Sequence, residues 1–389
     1  MPPKTPRLVD RSKAFLEAYT HGLEPDDLPR LFTRDAREAY RFFARNIDEE
    51  QLRGLPWHRR WLTRARLFFW AFTLRLSPAR RILYGVALLL CLLGFLQLIR
   101  GVGNSGVPYP NFAPGAGTVF VGFLLVNLLV LLEVADRLSL KNDLEVARDI
   151  QRAMLPQAKY EAPGFEAYGL TRPANTVGGD FYDALPLSDG RVVLTVGDVA
   201  GKGSPAALLM ALLLAMFRTL VDEGLETAEL AERLNVQVWR HSPASRFITL
   251  FIATCDPATG RIEYINAGHT PALLRRRSGA FEHLTGGGIA LGMFDHSKYQ
   301  AHEARLEPGD TLVLYSDGVT EAENHQGQPF EESGLERVVD ALATSKPADL
   351  AHGILKAVER HASETSLADD LTVLVVARKV EGPDAPCVN

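Results

Sequence analysis

Two apolar runs limit what this chain can become. Ile82–Ile99 (ILYGVALLLCLLGFLQLI) carries no charge over 18 residues. Gly117–Leu132 (GTVFVGFLLVNLLVLL) carries none over 16, and Val134 and Ala135 can extend it past Glu133. A helix needs about 20 apolar residues to cross roughly 30 Å of hydrocarbon, with about 17 as the lower limit. Both runs sit near that limit and are strongly apolar. The segment Arg100–Ala116 between them is rich in Gly, Pro and Asn, so it reads as a turn joining antiparallel helices. The expectation is a two-helix transmembrane hairpin over residues 82–135. Its competitor is a buried hairpin in the core of a soluble protein.

Charge placement favours the membrane. The net charge of −5 hides an asymmetry: residues 1–81 hold 17 Lys+Arg against 10 Asp+Glu, and the remainder holds 25 against 37. Arg59, Arg60, Arg64, Arg66, Arg75, Arg80 and Arg81 precede the first run, while the loop between the runs has only Arg100. The positive-inside rule then puts both termini, and all that follows residue 135, in the cytoplasm. The expected location is the inner (cytoplasmic) membrane, crossed more than once. Trp57, Trp61 and Trp70 among these arginines read as an interfacial helix on the inner leaflet. A basic arm for nucleic acid is the alternative, but Trp/Arg interleaving directly before an apolar span argues for a membrane surface and no nucleic acid. Residues 1–81 read as a basic helical region, amphipathic over 1–56 and without identifiable chemistry. No apolar run starts near residue 1, which excludes a cleaved signal peptide.

From Glu133 to Leu155 there is no Gly or Pro, and Pro156 ends the run. Within this linker helix (136–156), Leu140, Leu144, Ala147, Ile150 and Met154 fall in a stripe about 120° wide at 100° per residue. Lys141, Asp143, Arg148, Asp149 and Arg152 lie opposite. The stripe suits a homodimer through Leu140–Met154, or one helix docked on the domain that follows.

After Pro163 the pattern turns to short apolar runs separated by turns: Val192–Val196, Phe247–Cys255, Ile262–Asn266, Thr311–Tyr315 and Thr372–Ala377. Several are apolar on both faces, as strands buried between layers are. Ser204-Pro205 opens a helix to about Val221, with Ser at the N-cap and Pro at the first helical position. A second helix covers Pro347–Ser363. Sheets flanked by helices predict a layered α+β domain over 157–380, followed by a flexible tail at 381–389. Apolar residues make up 47% of the chain, enough for a sizeable core. Cys91, Cys255 and Cys387 are far apart, which argues against a disulfide framework or a zinc site.

Four aspartates stand at the ends of such strands: Asp180 in VGGDFYD, Asp198 in TVGDVAGKGSPAAL, Asp317 in LVLYSDGVTEA and Asp370 in ADDLTVLVV. Gly178, Gly179, Gly197 and Gly318 beside them permit tight turns and close approach. Clustered carboxylates repel one another, and hard divalent cations relieve that repulsion; oxygen-only ligands select Mg²⁺ or Mn²⁺. A Walker A reading of GDVAGKGS fails, because Val196 and Gly203 stand where Gly and Ser or Thr are required.

VGGDFYD, GDVAGKGSPAAL, RFITLFIATCDPATGRIEYINAGHTPALL, ALGMF, LEPGDTLVLYSDGVTEA and ADDLTVLVV, in this order, resemble the successive motifs of SpoIIE/RsbU-type serine phosphatases. These are members of the PPM (PP2C-like) metal-dependent phosphatases. The resemblance runs from about Leu140 to Arg378, with DLEVARDIQRAMLP similar to the family's regulatory linker. It implies a PP2C-like α-β-β-α sandwich with a dinuclear Mn²⁺/Mg²⁺ site between the sheets, here preceded by the hairpin and the linker helix.

Carried over position by position, the resemblance makes Asp198 the metal-bridging aspartate and the Val199 carbonyl a backbone ligand. Asp180, Asp317 and Asp370 become the remaining metal carboxylates. It implies phosphomonoester hydrolysis by an in-line water whose pKa two ions lower, with no Ser, Cys or His nucleophile. The substrate implied is a phosphoserine on a small regulatory protein, typically an STAS-domain anti-anti-sigma factor. Asp183 and Asp369 are expected to orient ligands or backbone. Arg172 is a weak candidate for meeting substrate phosphate, or else a solvated loop charge. Asn266 and His269 are expected to be structural, and Arg275–Arg277 to form a solvated hairpin tip. Thr176 stands where the family often has Glu. A catalytically silent PP2C-like scaffold is the alternative, and its mark would be loss of a metal aspartate.

Overall fold

Successive side chains of a strand point to opposite faces, so a strand apolar at every position must be covered on both sides. The run Val373–Ala377 within the strand Leu371–Arg378 is in that situation in the computed structural model of the chain. Leu374 and Val376 face one core, and Val373 and Val375 face another. The structure describes residues 76–103, 113–243, 246–362 and 367–379, with isolated positions between 56 and 74. The amphipathic reading of 1–56, Trp57 and Trp61 of the interfacial helix, and the tail 381–389 lie outside the described residues.

The chain divides into two compact units, residues 1–137 and 138–389. In the first, α1 (Pro78–Gly103) pairs with the N-terminal part of α2 (Ala113–Met154). Both are long and apolar enough to cross a membrane. They touch through small residues: a Cβ on Gly94 would fall 2.7 Å from the Val119 backbone nitrogen, and one on Gly115 would lie 3.1 Å from the Gly94 carbonyl. Such close backbone approach is how apolar helices associate without a hydrophobic driving force between them. Arg80 pairs with Glu133 at 3.2 Å and Asp136 at 2.7 Å, so the charge that interrupts the second apolar run has a partner. The second apolar run and the linker, expected as separate segments, form one 42-residue helix. With no glycine or proline between Gly122 and Pro156, nothing in the sequence breaks it.

In the second unit two sheets pack face to face, antiparallel throughout except for one short parallel pairing. The strands are β1 (Lys159–Ala162), β2 (Phe165–Arg172), β3 (Phe181–Pro186), β4 (Val192–Val199), β5 (Ile248–Cys255), β6 (Arg261–Ala267), β7 (Ala272–Arg275), β8 (Phe281–Leu284), β9 (Gly287–Gly288), β10 (His302–Arg305), β11 (Thr311–Tyr315) and β12, already given. One sheet runs β1-β2-β12-β11-β7-β8. The other runs β10-β6-β5-β4-β3, with β9 beside β6. Leu194, Val196, Phe251, Leu312, Leu314 and Leu374 fill the space between them.

Helices α3 (Ser204–Asp222) and α4 (Thr227–His241) cover the β4–β5 side, burying Met210, Leu213, Phe217 and Leu234. Helix α3 is also long and apolar enough to span a bilayer, yet it is packed as core. Its N-cap is Gly203, one residue before the expected Ser204. The other face is covered by α6 (Glu331–Ala341) and α7 (Pro347–Ala362), with Leu350, Ile354 and Val358 against Val313 and Val373. A single turn, α5 (Asp317–Thr320), follows β11. The expected α-β-β-α order is the observed one.

The expected solvated tip at Arg275–Arg277 is corrected. Arg275 pairs with Asp340 at 2.7 Å, and Arg276 pairs with Glu282 at 2.7 Å and the buried Asp310 at 2.8 Å. The hairpin folds back onto acidic groups from distant segments, which the local run of three arginines does not reveal.

Candidate active site

Register alone brings the four aspartates to one end of the sandwich. In one sheet β3 and β4 pair with Phe181 opposite Gly197, so Asp180 and Asp198 are neighbours. In the other, β11 and β12 pair with Tyr315 opposite Val373, which sets Asp317 and Asp370 together just beyond the paired residues.

The loops tie the two pairs into one cluster. Asp370 accepts hydrogen bonds from the Gly179 amide at 2.7 Å and the Ala174 amide at 2.7 Å, with the Asp180 amide at 3.4 Å. A Cβ on Gly179 would lie 3.0 Å from the Val199 carbonyl oxygen and 3.3 Å from Asp198 Oδ1. Added to Gly178 or Gly318, a Cβ would strike the Asp370 carboxylate or its carbonyl, respectively. Glycine is required at these points because other groups occupy the space a side chain would take.

Crowding shows in the acidities. Burial, then the charges of Asp198 and Asp370, hold Asp180 well above the ordinary carboxylate range. Burial and the charge of Asp317 push Asp198 up to about 6. Asp317 is raised by burial and by Asp369. Asp180 Oδ2 is buried and has no hydrogen-bond partner. Among the described residues no three acidic, His or Cys side chains gather around a single point as a closed ligand shell. The donor set nevertheless fits hard divalent cations: it is all oxygen, it carries excess negative charge, and it includes an orphaned buried carboxylate oxygen.

The flanking residues have separate tasks. Asp369 accepts the Asp370 amide at 2.9 Å and pairs with Lys202 at 2.8 Å. Asp183, fully buried, does not face the cluster's carboxylates through any hydrogen bond; it accepts from Arg218 Nε at 2.7 Å. Arg218 also donates to the Met154 carbonyl at 2.7 Å, tying α3 to the end of α2. Arg172 pairs with Glu359 on α7. His269 is buried, donates its amide to Asn266 Oδ1 at 2.7 Å and shares a 2.9 Å hydrogen bond with Thr249. Burial pushes its pKa down to about 4, so the ring stays neutral near pH 7.

Sequence reasoning missed Gln151 and Lys202. Gln151 exchanges two hydrogen bonds with Gly178, and Lys202 reaches across to Asp369. A signal existed for the first: at 100° per residue Gln151 falls about 20° from Leu140, a polar residue inside the apolar stripe. In the structure it is buried there, while Leu140 and Ile150 are exposed.

Residues 188–379 match the family model described as Stage II sporulation protein E (SpoIIE). The phosphoserine phosphatase RsbU of Bacillus subtilis is 28% identical over 242 residues, which are 62% of this chain and 71% of RsbU. The phosphoserine phosphatase RsbP of the same organism is 26% identical over 245 residues, 62% of this chain but only 59% of RsbP. Among solved structures, the SiaA-PP2C domain of Pseudomonas aeruginosa superposes with a TM-score of 0.54 at 22% identity, covering 62% of this chain and 98% of that domain. That likeness concerns the fold.

Proposed function

Since the chain belongs to the SpoIIE/RsbU type of PP2C-like, metal-dependent serine/threonine phosphatases, we propose that it is a membrane-anchored enzyme that hydrolyses phosphoserine on a small regulatory protein. The resemblance makes an STAS-domain anti-anti-sigma factor the substrate class. The observation that carries the activity is the convergence of Asp180, Asp198, Asp317 and Asp370, three of them raised in pKa by burial and then by neighbouring carboxylates.

Asp180, Asp198, Asp317, Asp370 and the Val199 carbonyl would hold two Mn²⁺ or Mg²⁺ ions. Bound there, such cations lower the pKa of water and neutralise charge on a transferring phosphoryl group. The chain's own contribution is placement. The Gly179 and Ala174 amides fix the Asp370 carboxylate, Asp369 fixes the Asp370 backbone, and the glycines keep the approach clear. The buried neutral His269 braces the β5–β6 region beside Asp198.

The arginines before residue 82 support an inner-membrane location with the hydrolase domain in the cytoplasm. The exposed Leu140 and Ile150 support pairing of two linker helices in a homodimer. The division proposed with this reading is a basic region to 81, hairpin 82–135, linker 136–156, hydrolase domain 157–380 and a tail 381–389.

The test uses the full-length chain in detergent micelles with p-nitrophenyl phosphate and a phosphoserine peptide, under Mn²⁺, Mg²⁺ or EDTA. Turnover is expected with either metal and not with EDTA. It should fall at least about a hundredfold in Asp198→Asn or Asp317→Asn. Unchanged turnover in either variant refutes the assigned site.

A further inference from the structure

The GDVAGKGS segment is not a P-loop, yet its lysine is set at the rim of the carboxylate cluster. Lys202 lies between Gly201 (φ 108°) and Gly203 (φ 74°), three residues past Val199. Both flanking angles belong to the left-handed region that glycine enters without strain. The turn carries the lysine across to the segment ahead of β12. There Nζ donates to the Ala368 carbonyl at 2.5 Å and meets Asp369 Oδ2 at 2.8 Å. The side chain is half exposed and lines a cavity of about 380 Å³ shared with Gly318, Glu321, Asn324, Leu367 and Asp369.

Nearby guanidinium groups are directed elsewhere. Arg172 is on Glu359, Arg218 on Asp183 and the Met154 carbonyl, and Arg246 on the Ala200 carbonyl at 2.8 Å. Among the described residues, Lys202 is the basic side chain in the lining of this cavity.

Resting on the phosphatase reading above, we propose that Lys202 is a substrate-binding residue whose ammonium leaves Asp369 and hydrogen-bonds a non-bridging oxygen of the incoming phosphoryl group. The charge balance calls for such a group. Five carboxylates (Asp180, Asp198, Asp317, Asp369 and Asp370) outweigh two divalent cations by one negative charge, and Glu321 and Glu323 in the cavity lining add to it, which would repel a phosphomonoester dianion. One ammonium offsets part of that surplus where the phosphoryl group enters. A lysine suits the task as a compact point charge on a flexible stem that can change partners. Asp369 keeps its hydrogen bond from the Asp370 amide when the lysine departs, so the exchange does not release the backbone.

The experiment compares full-length wild type, Lys202→Met and Lys202→Arg in detergent micelles with Mg²⁺, using inorganic phosphate as the probe. Two quantities are read: inhibition of peptide hydrolysis by phosphate, and the rise in melting temperature that phosphate produces. The expected result for Lys202→Met is a rise of about tenfold or more in both KM and the phosphate inhibition constant. A tenfold rise corresponds to about 1.4 kcal/mol. The variant should also keep kcat within about threefold and lose the phosphate-induced thermal shift, and Lys202→Arg should recover most of both. A lysine that only straps the loop to Asp369 would lower the phosphate-free melting temperature and leave the inhibition constant and the thermal shift intact, overturning the proposal. If wild type shows no turnover, the phosphatase reading fails by itself, and the phosphate-induced shift still decides the role of Lys202.

Discussion

Gln151 and Gly178 grip each other through one side-chain amide: Nε2 donates to the Gly178 carbonyl at 2.7 Å, and Oε1 accepts the Gly178 N–H at 3.2 Å. Gln151 is in the last turn of α2, and the amides following Gly178 bond to Asp370. The end of the linker helix is therefore two hydrogen-bonding steps from the carboxylate cluster. Replacing Gln151 with Leu strands a buried N–H and C=O, at a cost of about 1–3 kcal/mol. The melting temperature of the full chain, followed by circular dichroism, should fall by roughly 2–10 °C. No change would mean that solvent reaches Gly178.

Gly318→Ala is expected to act on metal affinity. The new methyl group meets the Asp370 carbonyl, and the strand end carrying that carboxylate must shift. Displacement of a ligand by even part of an ångström is expensive in function. The Mg²⁺ concentration for half-maximal turnover should rise at least about tenfold, measured by metal titration; an unchanged midpoint would separate Asp370 from the site.

In EDTA, stability should decline as pH rises across the weakly acidic range. Asp198 has a folded-state pKa of about 6 against 3.8 for the ordinary group. The folded state thus binds this proton more tightly. The contribution is fully present below pH 3.8 and lost as pH rises through about 6. Melts at pH 5 and 7 should show the drop, and Asp198→Asn should flatten part of it. Cation binding runs the other way and tightens with pH, because proton and cation compete for the same oxygens.

His269→Gln should keep metal-dependent turnover within about tenfold, whereas loss of a general acid costs about 10²–10⁴. A ring held near pKa 4 is not protonated at neutral pH. Its effect is on stability, with the opposite sign to the aspartates. The neutral ring's contribution is present above pH 6.5 and lost as pH falls through about 4. Pre-steady-state and melting measurements on the one variant separate the two roles.

Arg172→Ala should leave KM for a phosphoserine peptide within about twofold. The side chain is over half exposed and engaged with Glu359, an ion pair of the kind worth ~0–1 kcal/mol. A large rise in KM would return Arg172 to the list of phosphate contacts.

The layers were legible because β4, β11 and β12 are apolar at consecutive positions, which requires cover on both faces. Asp198, Asp317 and Asp370 were legible because each stands at or beside the end of such a strand, and Asp180 because it follows a glycine pair in VGGDFYD. What stayed hidden depends on partners far away in sequence. Arg276 looks solvated until Asp310 arrives beneath it, Asp183 holds the Ala184 amide as a backbone-orienting group would but also takes Arg218 from a distant helix, and Lys202 has no evident target until β12 brings Asp369 across. Gln151 lies between these cases: its odd place in an apolar stripe was visible, its partner was not.

The central position of β12 has a consequence for synthesis. Among the described residues this strand is the last of the twelve, yet it sits between β2 and β11, so that Thr171 and Thr372 touch across 201 positions. Closing so long a loop costs entropy before any contact returns it, and pairings of such separation form slowly. Until β12 is made, one sheet lacks an interior strand and the cluster lacks Asp370. On the proposed assignment of Asp370 to the site, hydrolysis waits for β12, and a product truncated anywhere before it is expected to be silent.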